Sequence, residues 1–135
     1  DTYVCYCWAE VEGYSKFGIY SGTVATTDGP FISLGFRPAW LMLKSTSGPA
    51  GGVGDGGGWH MYDDVRSTYN PSKQELFANT NSSEGDPGND RLDFVANGFK
   101  IRDQYDGNGS GRDYIYAAFS RNPFGSSGVA QAKAR

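Results

Sequence analysis

Paired carboxylates are the first residues in this sequence that could do chemistry, because glycoside hydrolysis places two of them about 5–10 Å apart across a cleft. Asp63 and Asp64 are adjacent, and Glu10 and Asp93 fall in predicted strands. Neighbouring residues of a regular strand point to opposite faces, so Asp63 and Asp64 cannot face one substrate together. Nothing in the sequence pairs Glu10 with Asp93, and we interpret all four as solvated surface acids.

A second group of oxygen-bearing side chains could bind a cation. Asp103, Asp106 and Asn108 stand at i, i+3 and i+5, and calcium could use their oxygens. An EF-hand loop needs i, i+2, i+4 and a distal Glu, which this run lacks. Turn formation explains the run more simply, so we predict no metal and no cofactor and keep these three residues as weak metal candidates.

Nucleophiles and soft ligands are few. Cys5 and Cys7 are the two cysteines, and on a strand their Cα atoms would lie ~6.5–7 Å apart, which resists a disulfide. We expect two reduced, packed thiols, as in a protein that assembles in a cytosol. His60 is the single histidine, and no nucleophile stands in a recognisable motif. The sequence therefore predicts a protein that is not an enzyme.

Aromatic residues in or beside predicted loops suggest binding instead of catalysis. Flat aromatic rings next to Asn and Asp can stack on sugar faces while the polar neighbours bond to hydroxyls. Each position also suits core packing, but as a group they are our prediction for a receptor surface. The residues are Trp59, His60, Tyr62, Tyr69 and Tyr105.

The elements that must position these residues are predicted to be strands. With 20 glycines and 15% aromatic residues, the chain is typical of an all-β domain with many turns. Asn97-Gly98 between two alternating runs predicts a type I′ hairpin. The predicted strands are 3–11, 16–22, 31–36, 39–44, 58–63, 74–79 (or one helical turn), 92–96, 99–102 and 113–120.

These eight or nine short strands predict two antiparallel sheets packed as a β-sandwich of jelly-roll or lectin-like type. Residues 1–124 are predicted to form one module, and 125–135 a flexible tail. The Gly-rich stretch 45–58 is predicted to be a long surface loop. The net charge of -3 with scattered basic residues disfavours nucleic-acid binding. No apolar run reaches about 18 residues, so we predict no membrane insertion.

Two segments of the sequence resemble each other. Residues 3–10 match 114–121 in type: Tyr3 with Tyr114, Val4 with Ile115, and Trp8 with Phe119. Such similarity arises by chance between aromatic strands, or it marks tandem modules that each close with this strand. The chain also begins inside a predicted strand. We therefore expect the natural protein to extend further upstream, where a preceding module could share strand 3–11.

An ordered set of motifs extends over nearly the whole chain. The segments are 8–18, 28–31, 35–40, 92–102, 114–119, 122–124 and 130–135. Together they resemble a module of uncharacterised function in tail-fibre and tail-associated proteins of tailed bacteriophages, marine and cyanobacterial phages among them. The resemblance identifies no catalytic residues. The sequence departs from the pattern mainly in the Gly-rich loop 48–58, where partner specificity is expected to differ.

The resemblance implies a non-enzymatic virion module, located in the tail or fibre and assembled in the host cytoplasm. The first hypothesis is a distal tail-fibre domain that attaches to a host-surface glycan or protein with avidity from several copies, as a homo-oligomer with a trimer favoured. The alternative is a structural or decoration module that packs on other virion subunits, and a minor alternative is a polysaccharide depolymerase. An apolar face on strands would favour the structural module, whereas exposed loop aromatics would favour attachment.

Overall fold

The structure of the chain is a computed structural model that describes residues 1–23, 28–46, 58–85, 88, 90–102, 107–109, 111–121 and 123. All of its described regular structure is β-strand, which confirms the all-β prediction. The strands are Ser15–Ser21 (β1), Phe31–Ser33 (β2), Pro38–Ser45 (β3), Trp59–Asp63 (β4), Leu76–Phe77 (β5), Leu92–Val95 (β6), Gly98–Ile101 (β7) and Asp113–Ser120 (β8).

The strands form two antiparallel sheets, as predicted for a sandwich. A five-stranded sheet has the order β1-β8-β3-β4-β5, and a three-stranded sheet has the order β2-β7-β6. β8 lies between β1 and β3, so the last described strand occupies the interior of the larger sheet. The short β5 and the longer β1 are its two edges.

One hydrophobic core joins the inner faces of the two sheets. Strands β3 and β8 alternate strictly between buried and half-buried residues over most of their length, as strands with one face on a core do. Phe99 of the smaller sheet packs edge-on against Tyr20 and Tyr116 of the larger one, with ring centroids 6.0 and 5.5 Å apart. These contacts between sheets support the sandwich assignment.

The predicted hairpin is present, but its turn lies one residue earlier than expected. Val95 pairs with Gly98, so Ala96 and Asn97 form the two-residue turn and Gly98 begins β7. Gly98 has φ +157°, and a Cβ there would collide with the carbonyl oxygen of Ile32 in β2. The glycine is therefore required by the close approach of β2, and not by the turn type on which the prediction depended.

The predicted first strand is wrong. Residues 1–10 form no strand and are exposed, and a single bridge joins Val11 to Ser15. The predicted element at 74–79 is reduced to Leu76–Phe77. Most of the Gly-rich loop and the predicted tail 125–135 lie outside the described residues. No helix in the described part of the chain is long and apolar enough to cross a membrane.

Candidate functional site

Two of the five residues predicted as a receptor surface are buried in the core. β4 contains three of the five, Trp59, His60 and Tyr62. The alternation of the strand directs His60 and Tyr62 into the core, where they are only 1% and 2% exposed. Burial leaves them no surface to offer a receptor, so the expectation of loop aromatics is wrong for this pair. Tyr69 is 85% exposed on the connection after β4, and Tyr105 lies outside the described residues.

A buried carboxylate explains why the core accepts these polar rings. Glu75, 1% exposed, receives a hydrogen bond from the Tyr62 hydroxyl at 2.8 Å on Oε2. His60 Nδ1 lies 3.1 Å from the same oxygen and donates to it, since an ionised carboxylate only accepts. Arg91 Nη2 bonds Oε1 at 3.2 Å. Sequence reasoning missed this cluster, because Glu75 stands in a polar stretch with no pattern that predicts burial.

The partners of Glu75 also fix its charge. Burial acts to raise the pKa of this carboxyl, but the hydrogen bond from His60, the Arg91 charge and the Tyr62 hydroxyl outweigh it and hold the pKa below its ordinary value. The carboxylate is thus ionised and fully engaged inside the sandwich. Its geometry is that of a structural anchor between β4 and the segment that precedes β6.

The acids considered for hydrolysis are each bound by a separate partner. Asp63 pairs with Arg66 at 2.8 Å, Asp64 with Arg121 at 2.5 Å, and Asp93 with Arg102 at 2.5 Å. The Glu10 carboxylate accepts the backbone N–H of Phe17 at 3.0 Å. These contacts tie loops and strands together.

Among the weak metal candidates, Asn108 has a structural contact. It is fully buried, and its Oδ1 accepts the backbone N–H of Thr23 at 2.5 Å. Asp103 and Asp106 lie outside the described residues. Within the described ranges, no three His, Cys, Asp or Glu side chains come close enough to share a metal ion. The two thiols, expected to be packed, are instead exposed and free, with Cys5 Sγ 3.6 Å from Cys7 Sγ.

The feature that does stand out is the outer face of the five-stranded sheet. The strand register aligns the side chains opposite the core in three rows that cross β1, β8, β3 and β4. In that order, the rows are Phe17, Ala117, Met42 and Met61; Ile19, Ile115, Lys44 and Trp59; and Ser15, Phe119, Trp40 and Asp63. A solvated sheet face usually carries polar residues, whereas most of these side chains are apolar.

Aromatic contacts organise this apolar face. At one end of the face, the ring of Phe119 packs against two other aromatic rings. Its centroid lies 5.8 Å from that of Phe17 and 5.6 Å from that of Trp40. Lys44 Nζ lies 5.6 Å from the ring centroid of Trp59. The one basic group in the rows therefore makes a cation–π contact with a neighbouring ring. The rows pack laterally on one another, and Ile19 remains 67% exposed.

A groove of about 450 Å³ runs along this face. Its walls are almost entirely apolar and come from β1, β8, β3 and β4, together with one residue from outside the sheet, Trp8. The lining residues are Trp8, Phe17, Gly18, Ile19, Met42, Trp59, Ile115, Tyr116 and Ala117. An almost entirely apolar groove of this size suits apolar side chains of a protein better than a sugar, which needs hydrogen-bond partners.

Residues 1–10, here called the arm, leave this groove and extend into solvent. Tyr3, Val4, Tyr6 and Trp8 are 83%, 79%, 74% and 67% exposed. The rings of Tyr6 and Trp8 stack with centroids 6.1 Å apart. Of the large hydrophobic side chains that the described structure leaves exposed, four lie in the arm and Ile19 lies on the apolar face.

Comparison with known proteins places the chain in a family. The model of DUF7483, a domain of unknown function, matches residues 1–123. The chain belongs to this family. The match includes the arm as well as both sheets, so the arm is part of the DUF7483 domain. No match was found among curated proteins or among solved structures.

Proposed function

We propose that this DUF7483 domain is a non-enzymatic structural module of a bacteriophage virion that packs on neighbouring subunits through the outer face of its five-stranded sheet. The observation that carries the proposal is the apolar composition of that face. Its three rows include Trp40, Trp59, Met42 and Met61. Aromatic residues and methionine are enriched in the cores of protein interfaces. The phage context is supported by the sequence resemblance.

The extent of the surface also supports a role in assembly. A soluble monomer rarely exposes a contiguous apolar patch beyond a few hundred Å², and larger ones mark interaction sites. Here the rows span four strands and continue into the arm through Trp8. A subunit that remained free in solution would leave this surface in water.

Host attachment is the second candidate function, and one observation favours it. Tyr69 projects 85% exposed from the connection between β4 and β5, with Val65 at 74% on the same connection. Exposed rings of this kind bind sugars by stacking. The burial of His60 and Tyr62 removes two of the other residues on which that hypothesis depended.

An experiment on virus particles tests the structural role. In a phage that carries this sequence, Ile19→Glu should reduce the yield of complete particles by tenfold or more, because it places a charge in the groove without touching the core. Val65→Glu is the matched control, since Val65 is equally exposed outside the face, and it should leave the yield unchanged. An antibody against the domain should label purified particles in electron micrographs.

Binding to cells distinguishes the two candidates. The fluorescently labelled domain is incubated with host and non-host bacteria, with and without EDTA. We expect no saturable, host-selective binding. Saturable binding that Tyr69→Ala abolishes, together with normal particle yield for Ile19→Glu, would overturn the structural proposal in favour of attachment.

A further inference from the structure

β1 is an edge strand of the larger sheet, and the backbone groups on its outer side are not paired with another strand in the described part of the chain. Two backbone hydrogen bonds flank the β1–β8 ladder: Ser120 N donates to Tyr14 O, and Gly22 N donates to Arg112 O, each at 2.9 Å. Since hydrogen-bonded residues alternate in an antiparallel ladder, the residues of β1 that bond to β8 are the even-numbered ones. The alternation of an antiparallel ladder therefore directs the backbone groups of Phe17, Ile19 and Ser21 to the other side. No strand within the described ranges pairs with that side.

The arm begins to pair with this edge of its own chain but stops at once. Val11 bridges Ser15, and continuing the same register would place Ala9 opposite Phe17. Instead, the Glu10 carboxylate takes the Phe17 N–H at 3.0 Å, and Ala9 O accepts from Ser15 Oγ at 3.4 Å. The Glu10 side chain thus occupies the position that the arm backbone would need. The arm leaves its own edge, which stays open at Ile19 and Ser21.

The arm has the residue pattern of a strand that fits this edge. Val4, Tyr6 and Trp8 recur at every second position, so in a strand they would share one face. The arm also resembles β8, since Tyr3, Val4 and Trp8 correspond to Tyr114, Ile115 and Phe119, and β8 is the strand that β1 already accepts on its other side. In that match, Val4, Tyr6 and Trp8 correspond to the outward-facing positions of β8, which contribute to the apolar face.

The area available is that of a stable interface. An aromatic side chain buries about 150–250 Å², so Tyr6 and Trp8 at 74% and 67% exposure, with Val4, offer on the order of 300–450 Å² per arm. If two copies exchange arms reciprocally, the two arms and the two surfaces that receive them remove on the order of 1,200–1,800 Å² from water. Specific protein interfaces fall in the range of about 1,200–2,000 Å².

We propose that the arm of one copy of this chain docks on another copy, where it adds a strand at the free edge of β1 and lays Val4, Tyr6 and Trp8 against the apolar groove. This inference rests on the proposed structural role, because it identifies the neighbouring subunit as a second copy of the same chain. Backbone bonds to Ile19 and Ser21 fix the register, and the aromatic side chains supply most of the affinity.

Sedimentation velocity of residues 1–135, kept reduced, tests the proposal. Between about 1 and 100 µM the chain should change from monomer to a defined oligomer. The double variant Tyr6→Ala/Trp8→Ala should raise the dissociation constant by roughly 30-fold or more, and Ile19→Glu should act similarly from the receiving side. Tyr69→Ala, which removes an equally exposed ring outside the arm, should leave the constant unchanged.

The two thiols report directly on where the arm lies. Cys5 and Cys7 are the cysteines of this chain, and both are exposed in the arm. In a docked strand Cys5 and Cys7 would point to the opposite face from Val4, Tyr6 and Trp8, which is the core side of the sheet. Their rate of alkylation by a maleimide should therefore fall at least fivefold as the chain assembles. In the Ile19→Glu variant the rate should stay high at every concentration.

Three results would overturn the inference. The chain could remain monomeric at 100 µM, assemble with no change in thiol reactivity, or protect its thiols equally at every concentration, which would mean that the arm folds on its own chain. None of these contradicts the structural role if Ile19→Glu still reduces particle yield, since a different subunit would then occupy the face. Normal particle yield with arm-dependent oligomers would instead contradict the structural role alone.

Discussion

Replacing Glu75 by Gln tests whether the buried carboxylate stabilises the sandwich. Gln keeps the shape of the side chain but carries one acceptor oxygen and one NH₂ group. Both carboxylate oxygens of Glu75 receive donors: Oε2 from His60 and Tyr62, and Oε1 from Arg91. In one orientation the NH₂ group of Gln faces the Arg91 guanidinium, which only donates; in the other it faces His60 and Tyr62, which must give up the hydrogen bonds they now donate in order to accept. In both orientations Arg91 loses the Glu75 charge.

The magnitude follows from burial. Arg91 is 7% exposed and Glu75 1%, so solvent cannot compensate for the lost charge. Breaking a buried pair from one side costs about 3–5 kcal/mol, and a partial replacement hydrogen bond returns some of this. We expect Glu75→Gln to lower the free energy of unfolding by about 3 kcal/mol. For a domain of this length that corresponds to a fall in Tm of roughly 10 °C.

Urea denaturation followed by tryptophan fluorescence measures the change directly. Glu84→Gln is the matched control, because Glu84 makes the same kind of ion pair, with Arg66 at 3.4 Å, but its side chain is 43% exposed. An exposed pair contributes about 0–1 kcal/mol, so the control should behave like the wild type. If the two variants differ by less than about 0.5 kcal/mol, the buried cluster is not a stabilising anchor and the reasoning fails.

Three further predictions concern the pH dependence of Glu75 and two other contacts of the fold. Because the pKa of Glu75 is lowered in the folded state, its contribution to stability is present above its ordinary pKa of 4.5 and is lost as the pH falls through the depressed value. Urea midpoints measured between pH 3 and 6 should therefore fall with decreasing pH. If a Glu75→Gln variant shows the same fall as the wild type, Glu75 is not the group responsible. Gly98→Ala should lower the free energy of unfolding by about 1–3 kcal/mol, because the new Cβ meets the Ile32 carbonyl. Gly35→Ala is the control, since Gly35 has φ +84° and open space around it and so reports backbone strain alone. Equal losses of stability in thermal unfolding would argue against the collision. Asn108→Ala should cost about 0.5–1.5 kcal/mol by removing the buried amide whose Oδ1 accepts the Thr23 N–H, and an unchanged unfolding midpoint would show that this contact contributes nothing.

The sequence was sufficient to predict the two long apolar strands of the larger sheet. β3 and β8 are nearly continuous apolar runs bounded by turn residues, and both were found within a residue or so of their observed bounds. The hairpin of β6 and β7 was also recognised, although its turn was misplaced. Gly98 misled the prediction, because the close approach of β2 that requires a glycine there is a tertiary contact that local sequence does not record.

The arm and the Glu75 cluster show where local pattern fails. The arm alternates like β8, but a strand also needs a partner, and the Glu10 side chain takes the backbone group that would have begun the pairing. His60 and Tyr62 were placed in a strand beside a loop and assigned to a receptor surface, because polar rings are often exposed. Their burial depends on Glu75 and Arg91, which stand 15 and 31 positions after His60, a separation at which single-sequence reasoning has no signal.

The position of β8 determines how the chain can fold. Ser120 Oγ bonds the carbonyl of Gly13 across 107 residues, so closing β1 against β8 brings nearly the two ends of the described chain together. Such long-range pairing carries a large loop-closure entropy and is typical of domains that fold in milliseconds to seconds. During synthesis, β1 and β3 are both made well before β8 and have no central strand to join them. We therefore expect the larger sheet to complete only after the ribosome has released its last strand, and until then the apolar rows of β1 and β3 to be a risk for aggregation.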